Sequence, residues 1–242
     1  MNYTMGVLIM KIKAILFDSG RVLNHPRTGN WFIPPNFNSI VNVKNVKISN
    51  YILLLKAIRK ASEYLEKQKI VLTEKEEFGH FLEFYKMVAK EPIGIKLTQQ
   101  QVFEIAKDTV YNDQRFLFPN EVFQIIPKLS KNYKLGIISD TWPSLERVFK
   151  NAGLRSYFST FVMSSKLGVN KPNELMFTTA LDELKIKPEE AIFIDDNEKN
   201  VEGAKVLGIK GILMDRKMYS RSNEKSTIIT NLNEIEAILK DA

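Results

Sequence analysis

Four short apolar runs in this chain each stop at a carboxylate or one residue short of it. Ala14-Ile15-Leu16-Phe17 ends at Asp18. Leu135-Gly136-Ile137-Ile138 ends at Ser139-Asp140. Ala191-Ile192-Phe193-Ile194 ends at Asp195-Asp196, and the run closing at Met214 ends at Asp215. Runs of this length, apolar throughout and bounded by turn residues, read as buried strands. Segments of helical period separate them. Strands alternating with helices call for a parallel sheet joined by right-handed crossovers. All C-terminal strand ends then lie on one edge, where open α/β sheets place their ligands. Acids far apart in sequence are thereby gathered in space.

The chain order refines this picture. Another short strand is expected at Thr160–Met163. Helices are expected from Pro119 through Leu129, from Ser144 to Ala152 with Gly153 just beyond, from Glu174 to Lys185, from Glu198 to Leu207 closed by Gly208, and from Leu232 to Leu239. Lys210–Met214 is expected to be the last strand. The first strand is cut off from the others by a different texture. Residues 24–35 are dense in Pro, Gly and Asn, which makes them loop. From about Ser49 the period becomes helical, with Ile52, Leu55 and Ile58 leading on to Leu65. Thr73 with Glu76, and Thr98 with Gln101, are capping-box pairs that start two more helices. The expected fold class is α/β: a Rossmann-like three-layer core with a parallel sheet, plus an inserted all-helical cap domain. Residues 1–23 and 117–242 form the core in this reading, and residues 24–116 the cap.

Composition narrows the chemistry. With 242 residues and 44% hydrophobic content there is enough chain for a full core. There is no cysteine and there are only two histidines, which excludes disulfides, thiolate zinc sites and a Cys nucleophile, and disfavours a poly-His metal site. The 28 acidic residues leave oxygen ligation of a hard cation open. Net charge is +7, but the lysines are scattered rather than grouped in a basic block, so no nucleic-acid partner is expected. The apolar N-terminus MNYTMGVLIM lacks the basic region and small-residue cleavage site of a secretion signal, and no run is long enough to span a membrane. A soluble cytoplasmic protein, monomer or homodimer, is the expectation.

Asp18 near the Asp195-Asp196 pair makes an oxygen-rich place for Mg²⁺. A lysine and a hydroxyl beside such a cation can hold phosphate oxygens, and Lys171 and Ser139 supply them. An aspartate there can attack phosphorus and form an aspartyl-phosphate.

The order of motifs resembles the haloacid dehalogenase-like superfamily, most of whose members are phosphatases. FDSGRVL stands where that family commonly has FDxDGT(L/V). GIISDT is an apolar strand ending in a hydroxyl, LGVNKPNELMF is close to GxxKPxxxxF, and FIDDNEKNVEGAKVLG is close to FxDDxxxNVxxAxxxG. The resemblance runs from Lys11 to about Met214, with an insert resembling the helical cap of the family's first class. It implies Asp18 as nucleophile and metal ligand, with the Gly20 main-chain carbonyl and Asp196 as further Mg²⁺ ligands. It implies Ser139 and Lys171 as phosphate-binding groups, with Asp140 beside them, and Asp195 and Asn200 as supporting residues. The implied substrate is a small phosphorylated metabolite.

One position departs from the pattern. Gly20 stands where the family's phosphatases usually carry a second Asp, the acid that protonates the leaving group. Glycine cannot do this, so an alternative reading is a catalytically impaired protein that binds phosphorylated ligands without turnover. Some relatives carry FDxGxV, and the resemblance implies that at least some of these hydrolyse sugar phosphates. His25 is the nearest titratable substitute, although a solvated loop histidine is the simpler reading. The family's other covalent chemistry, dehalogenation, needs no metal, and the retained Asp195-Asp196 pair favours phosphate. Trp31, Phe32 and Phe37 are either pocket-lining or packing residues, Trp142 either faces the site or starts the next helix, and Arg21 is either a contact to a phosphate or sugar acid or a solvated or ion-paired arginine. Phe81 and Tyr85 read as core, and His80 as a surface helix residue.

Overall fold

The computed structural model describes residues 11–42, 48–93, 96–216 and 227–240. The N-terminal decapeptide, expected to run straight into the first strand, lies outside them. Elements follow in this order: β1 (Ala14–Phe17), β2 (His25–Pro26), α1 (Phe37–Ile40), α2 (Ile48–Glu66), α3 (Glu74–Lys90), α4 (Gln99–Tyr111), β3 (Phe116–Leu117), α5 (Asn120–Leu129), β4 (Lys134–Ser139), α6 (Ser144–Asn151), β5 (Phe158–Met163), α7 (Ser164–Leu167), α8 (Glu174–Leu184), β6 (Ala191–Asp195), α9 (Glu198–Val206), β7 (Lys210–Met214), β8 (Thr227–Ile229) and α10 (Ile235–Lys240).

The main sheet has six strands in the order β5-β4-β1-β6-β7-β8, paired in parallel throughout. Alternate residues of β1 serve opposite faces. Ile15 and Phe17 join a core with α5, α6 and α10, whereas Ala14 and Leu16 join one with α8 and α9. A strand covered on both faces must be apolar at every position, which is why the run is unbroken until Asp18. The chain moves outward from β1 through β4 to β5, then returns to the other side of β1 with β6. That reversal puts Asp18 at the switch point, the place where such sheets bind ligands.

The segment between β1 and β4 gathers a separate apolar cluster, in which α2, α3 and α4 bury Leu54, Ala57, Ile58, Phe81, Phe84, Tyr85, Ile105 and Val110. Both expected capping boxes form: Thr73 Oγ1 accepts from Glu76 N, and Thr98 Oγ1 accepts from Gln101 N, each at 3.2 Å. The burial phase of α2 differs from expectation. Leu54, Ala57, Ile58, Ala61 and Leu65 face inward, whereas Ile52 is 49% exposed. The stretch YILLLKAI is apolar around most of the helix, so its period does not set a single face.

Three short pieces carry no sequence signal. β8 extends the sheet beyond β7, so Lys210–Met214 is not the last strand. β2 and β3 pair antiparallel at the two ends of the insert. The loop after β5 contains α7, ended by Gly168 at φ +75°. A three-residue strand and a two-residue ribbon have too few residues to show a period. They form because an open sheet edge or a neighbouring chain segment offers hydrogen bonds.

Candidate active site

Local chain geometry fixes each group. Asp18 N donates to Ile194 O at 2.8 Å, continuing the β1–β6 ladder one residue past the strand. Asp195 ends β6, and Asn197 then starts α9, its side chain accepting from Lys199 N. Lys171 precedes Pro172, which lies against Gly203 of α9. A Cβ on Gly203 would stand 2.5 Å from Pro172 Cβ, so only glycine lets the lysine loop approach this closely. Asp140 Oδ1 accepts from the Lys171 amide at 2.9 Å and holds that loop from the other side.

These supports converge on one buried ammonium. Lys171 Nζ lies 2.5 Å from Asp18 Oδ1 and 2.7 Å from Asp195 Oδ2. Burial disfavours the charged lysine, but Asp18, Asp195 and Asp140 outweigh it, and its pKa is raised. Burial also pushes the Asp18 carboxyl up to about 7, helped by Asp195 and Asp196 and opposed by Lys171. Asp140 and Asp196 are raised in the same way, chiefly by burial. Asp195 also accepts from Asn197 N at 2.8 Å and from Asn200 Nδ2 at 3.0 Å, so its oxygens are largely engaged. Asp196 makes one ion pair, with Arg21 at 3.3 Å.

Asp18, Asp195 and Asp196 each place an oxygen within 4.8 Å of the others. Three carboxylates around one buried lysine leave an excess of negative charge. An all-oxygen set of this kind suits a hard divalent cation, so the residues present fit Mg²⁺. Asp18 and Asp196, whose oxygens are less engaged than those of Asp195, would be the stronger donors to such a cation.

All the expected site residues line one cleft of about 520 Å³: Asp18, Gly20, Ser139, Asp140, Lys171, Asp195, Asp196 and Asn200. Trp31, Phe32, Phe81 and Trp142 form its aromatic side, whereas Phe37 packs within the helical cluster. Arg21 lines the cleft as an ion-paired residue. His25 is exposed on β2 and is not among the lining residues. His80 is half-buried rather than on the surface, its Nδ1 3.0 Å from Tyr64 Oη and its ring 6.0 Å from Trp142.

Two features carried no sequence signal. One is Arg115, a buried cation in the cleft wall. The other is the contact between α3 and the start of α6. Glu77, fully buried on α3, accepts from Ser144 N at 2.8 Å and from Ser144 Oγ at 2.7 Å. Beside it Arg147 binds Glu74 at 2.9 Å, Val110 O at 2.7 Å and Asp113. Burial pushes Glu77 up to about 7. Between its unfolded value near 4.5 and about 7 the folded chain therefore holds a proton that the unfolded chain has released. Stability should fall as pH rises through this window, by up to about 1.4 kcal/mol per pH unit. Glu77→Gln keeps one acceptor and one donor for Ser144, so it should remove that slope at little cost. Glu77→Ala strands the Ser144 amide and should cost about 1–3 kcal/mol. Urea unfolding of the three proteins from pH 5 to 8 checks both outcomes.

Among the described residues, no helix is long and apolar enough to cross a membrane. The family model described as haloacid dehalogenase-like hydrolase matches residues 46–214, well over half the chain, beginning after β1. Among curated proteins, the chain is 30% identical over 112 residues to a phosphoserine phosphatase from Thermus thermophilus, covering 46% of this chain and 45% of that protein. It is 30% identical over 119 residues to a glyceraldehyde 3-phosphate phosphatase from Methanopyrus kandleri, covering 45% and 49%. The chain thus spans about half the length of these relatives. Among solved structures, a putative hydrolase of the same family from Bacillus subtilis, bound to magnesium, superimposes with a TM-score of 0.66 at 15% identity, over 95% of this chain and 99% of that one.

Proposed function

Since the chain belongs to the haloacid dehalogenase-like hydrolase family, we propose that it is a Mg²⁺-dependent phosphatase acting on a small phosphorylated metabolite through an aspartyl-phosphate. The single observation that carries this reading is Asp18 at the switch point, in ion contact with buried Lys171 and within reach of Asp196. The related phosphatases and the magnesium-bound neighbour support it. We take residues 1–23 and 117–242 as the core and 24–116 as the cap, with the cleft between them.

An Asp18 oxygen attacks phosphorus, and the bond from phosphorus to the ester oxygen breaks. Lys171 opposes the burial that favours protonation of Asp18 and, with Ser139, binds the phosphoryl oxygens. Mg²⁺ held by Asp18, Asp196 and the Gly20 carbonyl would screen the repulsion between carboxylate and phosphate. The leaving alkoxide takes its proton from solvent, because Gly20 offers none. Water then attacks phosphorus, the bond from phosphorus to the Asp18 oxygen breaks, phosphate leaves with Asp18 restored, and the water's proton passes to phosphate or solvent. Asp195 and Asn200 position Lys171, and Asp140 positions its loop.

The expected outcome is phosphate release from p-nitrophenyl phosphate and acetyl phosphate with Mg²⁺, falling by at least ~10²-fold when the metal is chelated and returning on its restoration. Release insensitive to chelation would sink the metal dependence. Gly20 favours a second reading, a protein that binds phosphorylated ligands without turnover. Binding of such ligands with no release from either ester would select it.

A further inference from the structure

Arg115 sits between α4 and β3 and is 8% exposed. Its Nη1 donates to Thr109 O at the end of α4. Its guanidinium carbon lies 5.0 Å from the Phe116 ring centroid, 5.8 Å from that of Phe81 and 5.9 Å from that of Trp31. No acid lies within ion-pair distance of it among the described residues, and Nε, also buried, has no hydrogen-bond partner. Burial lowers its pKa, with Glu77 and Tyr85 opposing. A buried N–H without a partner costs free energy that a folded protein rarely leaves uncompensated.

The residue borders the cleft that holds Asp18, and among the described insert residues lining that cleft it is the one charged group. The two sites are joined by a short chain of contacts. Trp31 Cζ2 lies 3.6 Å from where a Cβ on Gly20 would stand, and the Arg115 guanidinium lies over the same indole. The cleft therefore has a phosphate end at Asp18 and Lys171 and a second, cationic end on the aromatic wall. Aromatic rings confine the guanidinium, Nη1 is taken by Thr109 O, and Nε is left without a partner within the protein. A confined guanidinium that keeps an unpartnered N–H suits a planar carboxylate as its ligand.

Resting on the phosphatase reading above, we propose that Arg115 binds a carboxylate on the leaving portion of the substrate, so that the site selects phosphorylated hydroxy acids over phosphate esters of uncharged alcohols. Arg115 is then a specificity residue, remote from the phosphoryl group.

A matched pair tests this. 3-Phosphoglycerate and glycerol 3-phosphate share one three-carbon frame and differ in a carboxylate against a hydroxymethyl group. With Mg²⁺ present, kcat/KM is measured on the wild type and affinity by calorimetry on Asp18→Asn, which should not consume either ester. The acid should be preferred by ~10–100-fold, mostly through KM. Arg115→Met, on the wild-type background for turnover and with Asp18→Asn for binding, should collapse this ratio to within ~3-fold, and Arg115→Lys should give an intermediate value. Equal losses on both esters in Arg115→Met would show a structural role and overturn the proposal. So would a wild-type ratio near one, which needs no variant to fold. A three-carbon bisphosphate bound as well as the acid would overturn the carboxylate assignment. The two readings fail separately. Preferential binding of the acid without turnover of either ester rejects the phosphatase and keeps Arg115, whereas turnover with equal binding does the reverse.

Discussion

Asp18→Asn is expected to lower phosphate release from p-nitrophenyl phosphate by at least ~10³-fold while leaving the fold intact. An amide has nearly the shape of the carboxylate but is a very poor nucleophile, so the covalent step is lost rather than slowed. A side chain that assists with a proton is worth ~10²–10⁴-fold, and the attacking group should be worth at least as much. Removing one partner of a buried ion pair ordinarily destabilises by about 3–5 kcal/mol. Here the effect should be far smaller. Lys171 keeps Asp195 at 2.7 Å, and the substitution removes a buried carboxylate from a cluster of three. The melting temperature should shift by only a few degrees. Incubation of the wild type with acetyl phosphate, followed by acid quench and mass spectrometry, should show a phosphoryl adduct that Asp18→Asn lacks. Activity within tenfold of wild type would place the nucleophile elsewhere.

Gly20→Asp should act in the opposite direction. The wild type is expected to favour esters whose leaving groups depart without a proton, such as p-nitrophenyl phosphate, over alkyl phosphates. The backbone does not require glycine here, because Gly20 is not among the positive-φ positions. The space does not require it either. A Cβ would meet Trp31 Cζ2 at 3.6 Å and Asp18 Oδ2 at 3.7 Å, both ordinary contacts. A carboxyl two residues after Asp18 can then reach the leaving oxygen. Rates on alkyl phosphates should rise by ~10²–10⁴-fold, while p-nitrophenyl phosphate gains far less. The dependence of rate on leaving-group pKa should flatten accordingly. A slope across a phosphate-ester series identical to that of the wild type would show that the missing acid does not limit turnover.

Most of the floor of the candidate site is legible in the amino-acid order. Asp18, Ser139-Asp140 and Asp195-Asp196 end apolar runs, and a parallel sheet brings such ends together whatever lies between them. The capping boxes at Thr73 and Thr98 are legible because every atom involved lies within four residues. The burial phase of α2 is not, because YILLLKAI is apolar on most sides and only the packed partners choose between Ile52 and Leu54. β8 is hidden because three residues carry no period, and an open sheet edge decides whether they pair. His80 reads as a surface residue until Tyr64 and Trp142 close over it from other elements.

The amino-acid order by itself therefore determined the layered α/β core and which carboxylates share its edge. Strand period, turn chemistry and capping are local properties, and the parallel arrangement does the rest. Tertiary structure alone decided what faces that edge. Glu77 on Ser144, the indole of Trp31 beside Gly20, and the guanidinium of Arg115 in the aromatic wall all depend on how the helical insert docks. Docking is set by shape and burial summed over many side chains, and no short stretch of sequence carries that sum.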